Sequence, residues 1–133
     1  MLYTHEIEMK VRDYECDMQG VVNNGVYQNY LEHARHEMLQ TRGINFAKLT
    51  ACGINLVVIR AELDYKRSLI SNDHFIVRSL VEQTSRIRFT FRQDIYRLPD
   101  DTLMLTAEIT GTSLNENGRP YAPEILAQLF SQD

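Results

Sequence analysis

From residue 54 onward the chain reads at a two-residue hydrophobic period in four runs, over residues 54–66, 74–83, 86–97 and 102–114. Val57, Ile59, Ala61, Leu63 and Tyr65 mark one run, and Ile87, Phe89 and Phe91 alternate with Arg86, Arg88, Thr90 and Arg92 in another. Side chains along a strand point alternately to opposite faces, so each run predicts a strand with one side for a core and one for water. The breaks at Ser71-Asn72-Asp73, Leu98-Pro99-Asp100-Asp101 and Asn115-Glu116-Asn117-Gly118 have turn chemistry and are short. Short turns return a strand beside its predecessor, which makes the pairing antiparallel. A shorter alternation at residues 5–11, with Ile7, Met9 and Val11 against Glu6, Glu8 and Lys10, predicts a first strand.

Between the first strand and the other four the period changes. From Val26 to about Arg42, the residues Tyr27, Tyr30, Leu31, Ala34, Met38 and Leu39 fall on one helical face, and Gly43 stops the helix. A short helix is expected near residues 45–51, and Pro123 starts a terminal turn or short helix through Phe130. One long helix and about five antiparallel strands predict an α+β fold with the sheet covering the helix. With 133 residues and no Pro/Gly/Ser-rich linker, residues 1–133 read as a single domain. A sheet this small leaves an edge strand and apolar surface to cover, which points to a homo-oligomer.

Charge excludes several functions. Eighteen acidic against 14 basic residues give a net charge of −4, no footprint for nucleic acid or an anionic membrane. No stretch approaches the roughly 20 apolar residues of a membrane span, and the first ten residues lack the apolar run of a signal peptide. Cys16 and Cys52 match no zinc or redox spacing, and the four His have no metal spacing, so a reducing cytoplasm and no metal are expected. His33 and His36 are expected on the solvated face of the helix, and Asp13 and Glu15 as solvent-facing charges without a role.

The chemistry is expected in residues 12–35, RDYECDMQGVVNNGVYQNYLEHAR. Asp17 would sit in a loop ahead of a helix starting near Asn23 or Asn24, both good N-caps. A carboxylate facing unpaired helix amides suits acyl transfer, because the amides hold a developing oxyanion while the carboxylate attacks or activates water. Gly20 and Gly25 are expected to serve backbone geometry, letting the loop turn and an acyl group come close. Glu32 and Arg35, three apart, could pair on the helix.

Asp17, Gly20, Val22, Tyr27, Glu32, Ala34 and Arg35, in that order and spacing, resemble the motif of the hot-dog-fold acyl-CoA thioesterase superfamily, the 4-hydroxybenzoyl-CoA thioesterase-like enzymes. The resemblance implies a hot-dog fold and a thioester hydrolase that releases a carboxylic acid and CoA. It makes Asp17 the nucleophile or general base and the Asn24 N–H the group that polarises the thioester carbonyl. Gly20, Val22, Asn23, Gly25, Tyr27 and Glu32 would line the substrate site, with Glu32 or Glu37 reaching into a partner's site. Ser85, Arg86 and Arg88 would meet the phosphates of CoA, with Arg60, Lys66 and Arg67 as weaker candidates. No cofactor is implied beyond CoA as part of the substrate, and the partner is a second copy, as homodimer or homotetramer. The Asn23-Asn24 pair resembles the branch that includes plant-type acyl carrier protein thioesterases, which keeps an acyl carrier protein as an alternative carrier. A non-catalytic acyl-CoA binding module is the reading from another class.

Overall fold

The computed structural model describes residues 2–126. In chain order it has β1 (His5–Lys10), α1 (Asn24–Thr41), α2 (Phe46–Ala51), β2 (Asn55–Tyr65), β3 (His74–Gln83), β4 (Arg88–Leu98), β5 (Thr102–Leu114) and a two-residue β6 (Pro120–Tyr121). All strand pairs are antiparallel, in the order β1-β3-β4-β5-β2, with β6 paired to β5. A single long helix lies against this sheet, the α+β arrangement expected from the periods. The expected terminal helix is represented by a 3-10 turn at Glu124–Leu126, and residues 127–130 lie outside the described residues. Among the described residues no helix is long and apolar enough to cross a membrane.

The helix begins two residues earlier than its apolar period suggests, because Asn23 is the N-cap and its side chain accepts from the Gly25 N–H at 3.1 Å. Its buried side chains are Tyr27, Tyr30, Leu31, Ala34, Met38 and Leu39, the face read from the sequence. That face packs on β3 and β1, against Phe75, Val77 and Val81 of β3 with Phe89, Phe91 and Ile95 of β4 beyond. Leu31, Met38 and Phe75 are fully buried, and each such side chain contributes about 1.5–3 kcal/mol of hydrophobic stabilisation.

Two expectations for the strands need correction. β4 starts at Arg88, so Arg86 and Ile87 lie in the bend before it and do not continue its alternation. In β2 the alternation Val57, Ile59, Ala61 is broken by a bulge between Val58 and Arg60, which leaves Ile59 as the extra residue. Directly paired residues share a face, so β2 presents Leu56, Val58, Ala61, Leu63 and Tyr65 to the helix side. β2 is at the sheet edge and α1 does not cover it: Val58 is 53% and Tyr65 51% exposed.

Candidate active site

The loop between β1 and α1 is closed on itself. Cys16 and Val22 form an antiparallel bridge, and the Asp17 N–H donates to the Val21 carbonyl at 2.8 Å. The turn needs a left-handed residue, which Gly20 supplies at φ +83°, with open space where a side chain would stand. Gly25 carries no left-handed φ and a Cβ there would meet only the Asn23 Oδ1 at 3.9 Å, so the turn itself does not require a glycine at that position.

Asp17 is exposed, and its Oδ1 accepts from the Gln19 N–H at 2.9 Å and the Val21 N–H at 3.4 Å. That is an Asx turn, which fixes one carboxylate oxygen and leaves the other directed away from these amides. The loop leads at once into α1, where Asn24 is the first helical residue and its N–H has no acceptor among the described residues. An orphan amide at a helix start, with the positive end of the helix dipole behind it, has the chemistry to hold an anionic oxygen. Cys16, next to Asp17, does not compete as nucleophile: burial and then the charges of Asp13, Asp17 and Glu15 push its thiol up.

The supporting residues are buried. Val22 is 3% exposed and its N–H donates to the Leu69 carbonyl at 2.9 Å. The Tyr27 hydroxyl accepts from the Leu69 N–H at 3.0 Å and its ring packs edge-on against Tyr65, so Tyr27 ties the helix start to the loop after β2. Burial raises its phenol. Glu15, expected in solvent, is instead buried at 8% exposure: its Oε1 accepts from the Arg12 N–H and the Tyr30 hydroxyl, both at 2.8 Å. Burial and then this hydrogen bond hold the Tyr30 phenol above its ordinary range. The Glu15 carbonyl accepts from the Asn23 N–H at 3.0 Å, which links this brace to the helix cap. The i to i+3 spacing of Arg12 and Glu15, that of a capped turn, was the available signal for it.

Farther along α1, Glu32 lies within 3.8 Å of His36 and not on Arg35. Arg35 turns inward, donating to the Gln93 Oε1 at 3.1 Å. Gln93 is fully buried and its Nε2 donates to the Leu31 carbonyl and the Ser79 Oγ, both at 3.1 Å. Its place after Phe89 and Phe91 on the core-facing parity of β4 was the signal that it points inward. His36 is half-exposed, as expected of the wetter face, and its ring lies tilted against Phe46 with centroids 4.6 Å apart. Glu32, Arg35, His36 and Phe46 border a cavity of about 210 Å³ between α1, α2 and the sheet.

The expected CoA contacts divide. Ser85 and Arg88 share a hollow of about 430 Å³ with Arg60, floored by Thr90 and Thr110, whose hydroxyls lie 3.2 Å apart. Arg86 borders a neighbouring hollow with Arg88 and Tyr121. Arg60, Arg88, Thr90 and Thr110 share the face opposite α1, so a ligand touching both Arg88 and Asn24 has to cross the β2 edge. Arg92 is held by Glu108 at 2.8 Å.

The profile of the Thioesterase-like superfamily matches residues 11–129. The chain is 40% identical over 116 residues to the acyl-acyl carrier protein thioesterase ATL3, chloroplastic, of Arabidopsis thaliana, covering 87% of this chain and 61% of that one. The chain therefore spans about three fifths of that relative's length. It is 30% identical over 105 residues to the long-chain acyl-CoA thioesterase FadM of Escherichia coli, covering 79% of each. Among solved structures, a hypothetical protein from Aquifex aeolicus superimposes with a TM-score of 0.86 at 31% identity, over 93% of this chain and 98% of that one.

Proposed function

Because the chain belongs to the thioesterase-like superfamily, we propose that it hydrolyses acyl-CoA, with Asp17 as nucleophile or general base and the Asn24 N–H as oxyanion donor. The observation that supports this reading is the closed loop that leads from an exposed carboxylate, oriented by the Gln19 and Val21 amides, directly into the start of α1, where the Asn24 N–H has no acceptor among the described residues. As water or the carboxylate adds to the thioester carbon, negative charge gathers on its oxygen. The Asn24 N–H and the helix dipole stabilise that charge. As general base, Asp17 takes a proton from the attacking water and returns it to the departing sulfur, leaving the carboxylic acid and the free thiol. As nucleophile, Asp17 displaces the thiolate, which takes a proton from solvent, and water then hydrolyses the acyl-Asp17 anhydride to the acid and the free carboxylate. The residues in these roles need no metal or redox group, and in a reducing cytoplasm Cys16 and Cys52 stay free.

The ATL3 similarity favours a second carrier, acyl carrier protein, for which the exposed Arg86 and Arg88 offer basic docking charges. One panel of acyl-CoA and acyl carrier protein thioesters, read by thiol release, tests both. Release from neither carrier would reject hydrolysis.

For the CoA reading, Arg88→Ala is expected to raise the Michaelis constant for acyl-CoA about three- to tenfold with turnover nearly unchanged. Phosphates bound there are held equally in ground and transition states, and an exposed contact is at the weak end of charge-assisted bonds. Added salt should shrink the effect, and a short pantetheine thioester should abolish it. Equal constants for wild type and variant on acyl-CoA would make the hollow an ordinary solvated surface.

A homodimer through β2 is the expected assembly. This 11-residue edge carries exposed Val58, Ile59 and Tyr65, and the exposed Tyr14 and Met18 flank Asp17. A second copy paired there would cover the apolar edge and bring the outer arginine hollow of one chain and the helix start of another toward one site. Sedimentation at micromolar concentration should give a dimer or tetramer; an active 15.5 kDa monomer would rule the shared site out.

A further inference from the structure

The cavity beside Arg35 has a composition that hydrolysis alone does not require. Its wall is mostly apolar, from Leu39, Phe46, Leu56, Val58, Phe89 and Phe91, with the Glu32–His36 pair also lining it, yet a guanidinium stands in it. Among the described residues Arg35 makes no ion pair and a single hydrogen bond, to the neutral amide of Gln93, with the Phe91 ring centroid 6.0 Å away. Its remaining N–H groups are not sealed into the core without partners, so they are reachable from the cavity. Burial lowers the guanidinium's affinity for its proton, with the charge of Glu32 acting the other way. A half-buried cation with unused donors in apolar walls is satisfied by an acceptor oxygen brought in by a ligand.

The cavity is also reachable from the candidate active site. Tyr65, at one end of β2, lies 3.5 Å from the Asn24 carbonyl oxygen through its hydroxyl, while Leu56 and Val58 at the other end line the cavity. The uncovered helix-side face of β2 thus runs from the helix start to Arg35, which lies about three turns, or ~16 Å, farther along α1. The Arg35 side chain leans back toward the helix start, which shortens the span. A cavity of about 210 Å³ exceeds the ~150 Å³ that admits a benzene ring, so a chain end fits.

We propose that this cavity receives the far end of a medium-length acyl group and that Arg35 selects chains carrying a neutral oxygen there, a hydroxyl or a carbonyl. The inference rests on the acyl thioester reading above. The neutral form follows from Glu32, whose carboxylate at the cavity rim offsets the guanidinium and repels a second carboxylate. A plain alkyl end would leave the guanidinium's donors desolvated and unpaired.

Calorimetric binding of non-hydrolysable thioether analogues of decanoyl-CoA, ω-hydroxydecanoyl-CoA and ω-carboxynonanoyl-CoA tests this independently of turnover. The ω-hydroxy analogue should bind wild type about tenfold more tightly than the plain one, with the carboxylate no better than the hydroxyl. Arg35→Met should reverse the preference, since the hydroxyl then enters an apolar pocket without a partner. Val58→Glu, which puts a carboxylate beside the guanidinium, should abolish it even where Arg35→Met fails to fold, with sedimentation showing the same assembly as wild type. Equal wild-type affinities for the plain and hydroxy analogues overturn the proposal, as does a preference that survives either variant. Tighter binding of the carboxylate overturns the neutral-oxygen assignment. Loss of thioester hydrolysis with the binding preference intact would instead count against the catalytic reading.

Discussion

Asp17→Asn is expected to lower turnover of the preferred acyl thioester by at least ~10²-fold, the cost of removing a nucleophile or general base. Asn keeps the shape and one side-chain oxygen, so the hydrogen bonds from the Gln19 and Val21 N–H groups and the closed turn are retained. What disappears is the negative charge and the basic oxygen. Because the carboxylate is exposed and outside the core, the fold should be unaffected, and thermal unfolding provides the control. Thiol release at saturating substrate is the measurement. A folded variant with near-normal turnover would remove Asp17 from the reaction and leave the Asn24 amide acting on an acyl group whose hydrolysis has another base.

Phe75→Ala should cost about 3–5 kcal/mol of unfolding free energy, the range for deleting a fully buried aromatic ring. Phe75 has no exposed surface, and its ring lies 4.6 Å from that of Tyr30 between α1 and β3. Tyr30 in turn holds Glu15, whose carbonyl holds the helix cap at Asn23. A cavity at Phe75 therefore loosens the brace under the loop that carries Asp17 as well as the core. Chemical denaturation at fixed protein concentration gives the number, since a dimer would make stability concentration-dependent. A loss below about 1 kcal/mol would mean that the helix does not sit on this part of β3.

Glu15 and Gln93 show where reading a sequence stops. Each is a polar residue that solvent would ordinarily claim. Glu15 is buried because Tyr30, fifteen residues on, brings a hydroxyl to it. Gln93 is buried because Leu31 and Ser79, from two other elements, satisfy its amide. Neither partner is within reach of local spacing. The bulge at Ile59 is similar, since the count of residues in β2 is broken only where it must register with β5. The arginines divide for the same reason: Arg60 and Arg88 meet through Thr90 and Thr110 across three strands, while Arg86 falls in a bend.

Other features were legible. The six buried residues of α1, the alternation of β3 and β4, the Asn23 cap and the turn at Gly20 each follow from relations between residues a few positions apart. Helical and strand periods are set by local backbone geometry, so the sequence by itself determined the order of the elements, the faces of α1, β3 and β4, and the loop that joins Asp17 to Asn24. The tertiary structure alone decided which polar groups are buried, which strand edge is left bare and where a guanidinium faces an apolar cavity. Those outcomes depend on desolvation and on partners distant in the chain, and a buried polar group is stable only when such a partner arrives.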